Sequence, residues 1–190
     1  MQKNKEILIL VAAYALLLLV MFILPRYSTP EYSIINNTLS QLGAQNTPNA
    51  WIMNLTYVSL GISSVIAGWR YFEGFAFQRL FLILFGISLS LAAFFNHAPV
   101  NPLIQYEISE DGWHSYFICT TGLTFVILTV SSTFIIENHT DRLLAAGAGL
   151  SVILFSVLMT EVAQAAGVWQ RFIFIISLGW MIYCFKTRKF

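Results

Sequence analysis

Six stretches of this chain are long and apolar enough to cross a lipid bilayer, and nothing else in the sequence restricts the fold as strongly. They lie at about 7–24, 51–69, 77–95, 113–136, 143–162 and 168–185. A helix rising about 1.5 Å per residue needs roughly 17–25 residues to cross ~30 Å of hydrocarbon. The bilayer core holds no water to satisfy free N–H and C=O groups, so such segments must be helical. The ~10-residue alternating segments of a membrane barrel are absent. The expected fold is all-α, a bundle of six transmembrane helices forming one integral membrane domain over residues 1–190.

Composition agrees with that reading. Hydrophobic residues make up 57% of the chain and charged residues 10%, against roughly 25% charged in a soluble domain. Ten basic residues stand against nine acidic ones, and the basic ones are scattered. Such a balance supplies no electrostatic footprint for a nucleic acid, which is not expected as a partner. Lys3 and Lys5 precede the first apolar run as they would in a signal peptide, but the run ends in Leu24-Pro25-Arg26 with no small-x-small cleavage site, so it is expected to stay as the first membrane helix. Cys119 and Cys184 fall near opposite ends of the spans, too far apart for the ~6 Å Cα separation of a disulfide.

The basic residues also predict an orientation. With the N-terminus inside, Lys3, Lys5, Arg70, Arg79, Arg142, Lys186, Arg188 and Lys189 all fall on the cytoplasmic side, leaving Arg26 and Arg171 outside. Eight against two is the bias that the positive-inside rule associates with cytoplasmic loops. Both termini are therefore expected in the cytoplasm of a multi-pass protein of the cell membrane.

Under that orientation the polar residues gather on the outer face. The inner connections are short and charged, whereas residues 25–50 form a long segment rich in Asn, Gln, Ser and Thr, and residues 96–112 carry Pro99, Pro102 and several acids. His97 closes the third span, and Asp111 and His114 open the fourth, three residues apart and so on one helical face. A carboxylate beside an imidazole can orient it for acid–base work or hold it as a metal ligand, so zinc is an option for these groups. Capping of the fourth helix by Asp111 is the structural alternative.

Glu161 lies near the outer end of the fifth span with Gln164 three residues on, and a carboxylate at that depth is expected to face the bundle interior. Arg171, beside Gln170, opens the sixth span; a cation there opposes the helix dipole and needs a counter-group, either Glu161 or an anionic headgroup. Ser40, Gln41 and Gln45 of the first outer loop, with Asn54 a turn into the second span, supply hydroxyls and amides suited to lining a pocket. Ser40 as a nucleophile would need His97 or His114 as its base.

These residues assemble into one expectation and one rival. The first is an outer-face pocket that binds or modifies a lipid headgroup or small amphiphile. His114, Asp111, His97 and Glu161 would supply acid–base chemistry, and Ser40, Gln41, Gln45, Asn54, Gln164 and Arg171 would contact the ligand. The second is a non-catalytic scaffold, or a protein that binds lipids or a partner, whose polar groups are structural. Membrane lipids are partners in the first reading and a possible ligand in the second.

The segment Asn37-Thr38-Leu39-Ser40-Gln41-Leu42-Gly43-Ala44-Gln45, the entry Trp51-Ile52-Met53-Asn54, the stretch from His97 to His114 and Gly167-Val168-Trp169-Gln170-Arg171 together resemble a bacterial and archaeal membrane family, domain of unknown function 998. The resemblance covers nearly the whole chain. It implies six helices and a prokaryotic plasma membrane, and it brings no activity with it. Seven-helix hydrolases of the alkaline ceramidase type are similar only in placing His and Asp at one membrane face; this chain lacks their seventh helix and paired histidines.

Overall fold

The computed structural model describes residues 2–187, with side chains from residue 5 onward. The side chain of Lys3, together with Arg188 and Lys189, which enter the charge bias, lies outside what is described. Six helices account for most of it: α1 Gln2–Ile23, α2 Ala50–Trp69, α3 Ala76–Phe94, α4 Ile108–Ser132, α5 His139–Glu161 and α6 Ala166–Thr187. Each is long and apolar enough to cross a membrane. Short 3-10 turns follow α1 at Leu24–Tyr27, shape the first long loop at Ser40–Gly43 and lead into α6 at Ala163–Ala165.

The apolar runs locate every helix, but helix ends extend into polar sequence that hydropathy does not register. α4 begins at Ile108, five residues before the run expected from Trp113, with Glu110 and Asp111 in its first turn, where negative charge suits the helix dipole. Asp111 is therefore inside the helix and does not cap it; Glu107 is the N-cap residue and makes no side-chain cap. α5 likewise starts at His139 and not near residue 143, because the Asn138 side chain accepts from the Thr140 and Asp141 N–H groups.

Helices adjacent in sequence pack against one another, and α6 closes the arrangement against α1 and α2. α2 and α3 meet through Gly61 and Gly86, where a methyl group on either would collide with the other's backbone carbonyl. Tyr57 of α2 stacks on Phe174 of α6 at 5.4 Å between ring centres, and Phe125 of α4 packs against Phe85 and Trp180. Buried polar groups are not confined to one end, as the sequence had suggested. Thr121 donates to Ser88 across α3 and α4 at 2.9 Å, and Ser63, Thr124, Thr129 and Ser132 bond carbonyls of their own helices.

α5 is the least enclosed helix. Its buried residues are Ala145, Ala148, Gly149 and Val152, so its last nine residues, 153–161, include none. The bundle thus has one end carrying the described chain ends and another carrying the two long connections, 24–49 and 95–107. The second is called the loop end below.

Candidate functional site

The loop end is built in two layers, and the deeper one is organised by Arg171. This residue is 4% exposed on the first turns of α6. Its Nη1 donates to the carbonyls of Ile34 at 2.8 Å, Asn37 at 3.2 Å and Gly167 at 2.8 Å, and its Nη2 to Met21 O at 3.4 Å and the Tyr32 hydroxyl at 2.9 Å. Its Nε is buried without a partner. The fork geometry of a guanidinium lets one side chain bind several carbonyls of a loop at once.

Neighbouring residues extend the same clamp. Gln170 accepts from Leu39 N–H and lies 3.5 Å from the Ser40 hydroxyl, which in turn is 3.5 Å from the Tyr57 hydroxyl. Gln41 Oε1 accepts from Thr38 N and Asn37 Nδ2, folding the loop on itself. Gly167 leaves space for this loop: a Cβ there would strike the carbonyls of Ile34, Ile35 and Asn37. Burial pushes the Tyr32 phenol above its ordinary range, and the Arg171 charge acts in the opposite sense, so the hydroxyl keeps its proton and donates to Thr38 O at 2.9 Å.

Three expectations change here. Arg171 does not pair with Glu161, which is exposed at the last position of α5, as is Gln164 just after it. Glu161 was expected to face the interior; α5 buries no residue after Val152, which leaves Glu161 outside. Ser40 also has no histidine beside it: its polar neighbours are Tyr57 and Gln170.

The upper layer ties the two long connections together. Gln45 accepts from Glu107 N–H at 2.8 Å, donates to the carbonyls of Asn96 and Glu107, and gives its backbone N–H to His97 O at 2.9 Å. Asn54 reaches Gly43 O and the Asn96 side chain at 2.8 Å. Asn46 and Asn49 take positive φ angles of 56° and 60°, a conformation asparagine tolerates better than most residues. Beside Gln45 and Asn46 the 102–108 segment forms an open groove of about 630 Å³, whose walls do not include the histidines.

The histidines sit behind this seam, between the ends of α3 and α4. Asp111 Oδ1 accepts from Ala98 N–H at 2.8 Å and lies 3.4 Å from His97 Nδ1. The carboxylate predicted to serve His114 therefore serves His97. His114, 3% exposed, directs Nδ1 at two carbonyls, Ala92 O at 2.7 Å and Phe95 O at 2.8 Å. Carbonyls only accept, so Nδ1 carries a proton, and in the neutral imidazole Nε2 then presents its lone pair. That Nε2 is buried and has no partner. The two imidazoles meet edge to face with ring centres 5.2 Å apart.

These side chains do not form a three-ligand metal group, and among the described residues no group of three or more His, Cys, Asp or Glu does. Asp111 occupies the Nδ1 side of His97, and His114 Nδ1 is held by carbonyls. Cys119 and Cys184 are free thiols.

A family model described as a protein of unknown function (DUF998) matches residues 11–185. The chain belongs to this family. No curated protein and no solved structure matches it. The DUF998 match runs across α2, α3 and α4 and the whole loop end, so the Arg171 clamp and the histidine pair both lie within the family segment. The sequence did not single out Tyr32 or Tyr57, which complete the clamp; a tyrosine in an otherwise amide-rich loop is the signal that pointed to the first, and a tyrosine in an apolar helix gives none.

Proposed function

We propose that the loop end of this membrane protein binds, and is placed to modify, the polar headgroup of a lipid or small amphiphile at His97, Asp111 and His114. The observation that carries the proposal is the buried, unpartnered Nε2 of His114. An unmet buried acceptor costs about 1–3 kcal/mol, so the site favours a ligand that brings a hydroxyl or ammonium donor to it. His97, 29% exposed at its side chain and backed by the Asp111 carboxylate, lies beside that acceptor and can take or return a proton. The charge bias and the six spans support placing this site on the outer face of a prokaryotic plasma membrane, both termini cytoplasmic, with lipids as partners.

Asparagine in place of His114 tests this cleanly, because its amide N–H can stand in for Nδ1–H toward Ala92 and Phe95 while no atom replaces Nε2. His114→Asn is expected to fold and to lose the amphiphiles that co-purify with the protein in native-lipid discs, read by mass spectrometry. Unchanged retention and unchanged lipid turnover in that variant would overturn the proposal.

A second reading has its own support. Gln45 and Arg171 commit their hydrogen bonds to the chain's own backbone, as they would in a scaffold whose loop end is simply tied shut. Loss of stability in His114→Asn with retention unchanged favours that reading.

A further inference from the structure

We propose that the turn between α2 and α3, at the end opposite the loop end, binds one anionic phospholipid, its phosphate on Arg79 and an acyl chain against α3. A groove of about 390 Å³ opens there, lined by Trp69, Gly74, Ala76, Arg79, Leu80 and Ile83. Apart from Arg79 its side-chain walls are apolar. Ala76, Leu80 and Ile83 recur at the spacing of one helix face, a strip about 10 Å long at 1.5 Å per residue, which suits an extended hydrocarbon chain.

The cation at the groove is fixed but not neutralised. Arg79 donates through Nε to Trp69 O at 3.0 Å, and its guanidinium carbon lies 4.6 Å from the centre of the Trp69 ring. Among the described residues the ion pairs within 4.0 Å are Arg70 with Glu6 and His97 with Asp111, so neither Arg79 nor the exposed Glu73 of the same turn takes part in one. No hydrogen bond from Nη1 or Nη2 of Arg79 is made within the described residues, leaving the two donors that bind a phosphate in parallel.

Other arginines at this end are already engaged: Arg70 pairs with Glu6, and Arg142 donates from Nε and Nη2 to Ile136 O. Arg79 alone among these three combines a fixed position, a free fork and an adjoining apolar groove. Holding the guanidinium against Trp69 before binding reduces the ordering that a ligand must bring about. Gly74, with φ +88° and open space where a Cβ would stand, turns the chain away and keeps the groove's mouth clear.

The test is lipid titration of the detergent-solubilised full chain, read by native mass spectrometry. Phosphatidylglycerol is expected to give a one-to-one adduct at least tenfold tighter than phosphatidylcholine, and Arg79→Gln is expected to remove that preference while Arg142→Gln keeps it. Leu80→Trp, at an exposed position, fills the groove with the guanidinium intact and is expected to weaken the same adduct. Inorganic phosphate at matched concentration is expected not to compete. Equal binding of the two lipids, full displacement by inorganic phosphate, or an undiminished preference in Arg79→Gln each overturns the proposal. The groove shares no residue with the histidine site at the other end of the bundle.

Discussion

Arg171 and His114 are buried almost equally, 4% and 3% exposed, at the same end of the bundle, yet their polar atoms are used differently. Arg171 makes five hydrogen bonds to the chain that it organises, four of them to carbonyls from α1, the first long loop and its own helix. His114 also anchors to carbonyls, at Ala92 and Phe95, but through one nitrogen only, and its other nitrogen faces no partner. A guanidinium whose terminal groups are satisfied internally builds structure. An imidazole with an open lone pair beside a second, partly exposed imidazole has capacity left for a ligand.

Substitutions that separate structure from capacity test this contrast, beginning with the largest effect. Arg171→Met leaves several buried carbonyls without donors at about 1–3 kcal/mol each, so a loss on the order of 3 kcal/mol or more is expected in denaturation of the disc-embedded protein. A loss under about 1 kcal/mol would break the comparison. Arg171→Lys is expected to recover little of it, since an ammonium cannot span the same carbonyls.

Gln45→Ala comes next, because it removes the side-chain bonds joining the first long loop to Asn96 and Glu107. About 1–2 kcal/mol of stability is expected to go, with faster hydrogen exchange at the Glu107 amide as the local signature. Exchange unchanged at that amide would show that the seam is held by other contacts.

The histidine pair is expected to behave in the opposite manner. His97→Gln, at a partly exposed position, is expected to change stability by no more than about 0.5 kcal/mol while abolishing retention or turnover of the amphiphile. A large stability loss with retention intact would move His97 into the class of Arg171. Smallest of all is Glu161→Gln: exposed at the end of α5, it is expected to shift stability by less than about 0.5 kcal/mol and to leave retention untouched.

Much of the molecule follows from sequence because the bilayer leaves few choices. Apolar runs of sufficient length must be helices there, and the six runs in the chain correspond to α1 through α6. The concentration of amides and histidines in the two long connections was also legible, as was the presence of His97, Asp111 and His114 near one end. Helix ends were less legible, since Asn138 and the acids before Trp113 extend α5 and α4 by local capping and charge that hydropathy does not contain.

Partnerships were decided only in three dimensions. Helical periodicity places Asp111 and His114 on one face, but it does not say what stands opposite. The end of α3 turns so that His97 and Ala98 meet Asp111, while His114 passes inward to the carbonyls of Ala92 and Phe95. Arg171 was expected to need a counter-group, Glu161 or an anionic headgroup, because a cation at a helix N-terminus opposes the dipole. It found a loop folded around it, and Glu161 was left outside because the last turns of α5, after Val152, have no buried residues. Charge and spacing specify what a side chain needs, whereas which of several candidates supplies it depends on how the helices pack and where the loops cross.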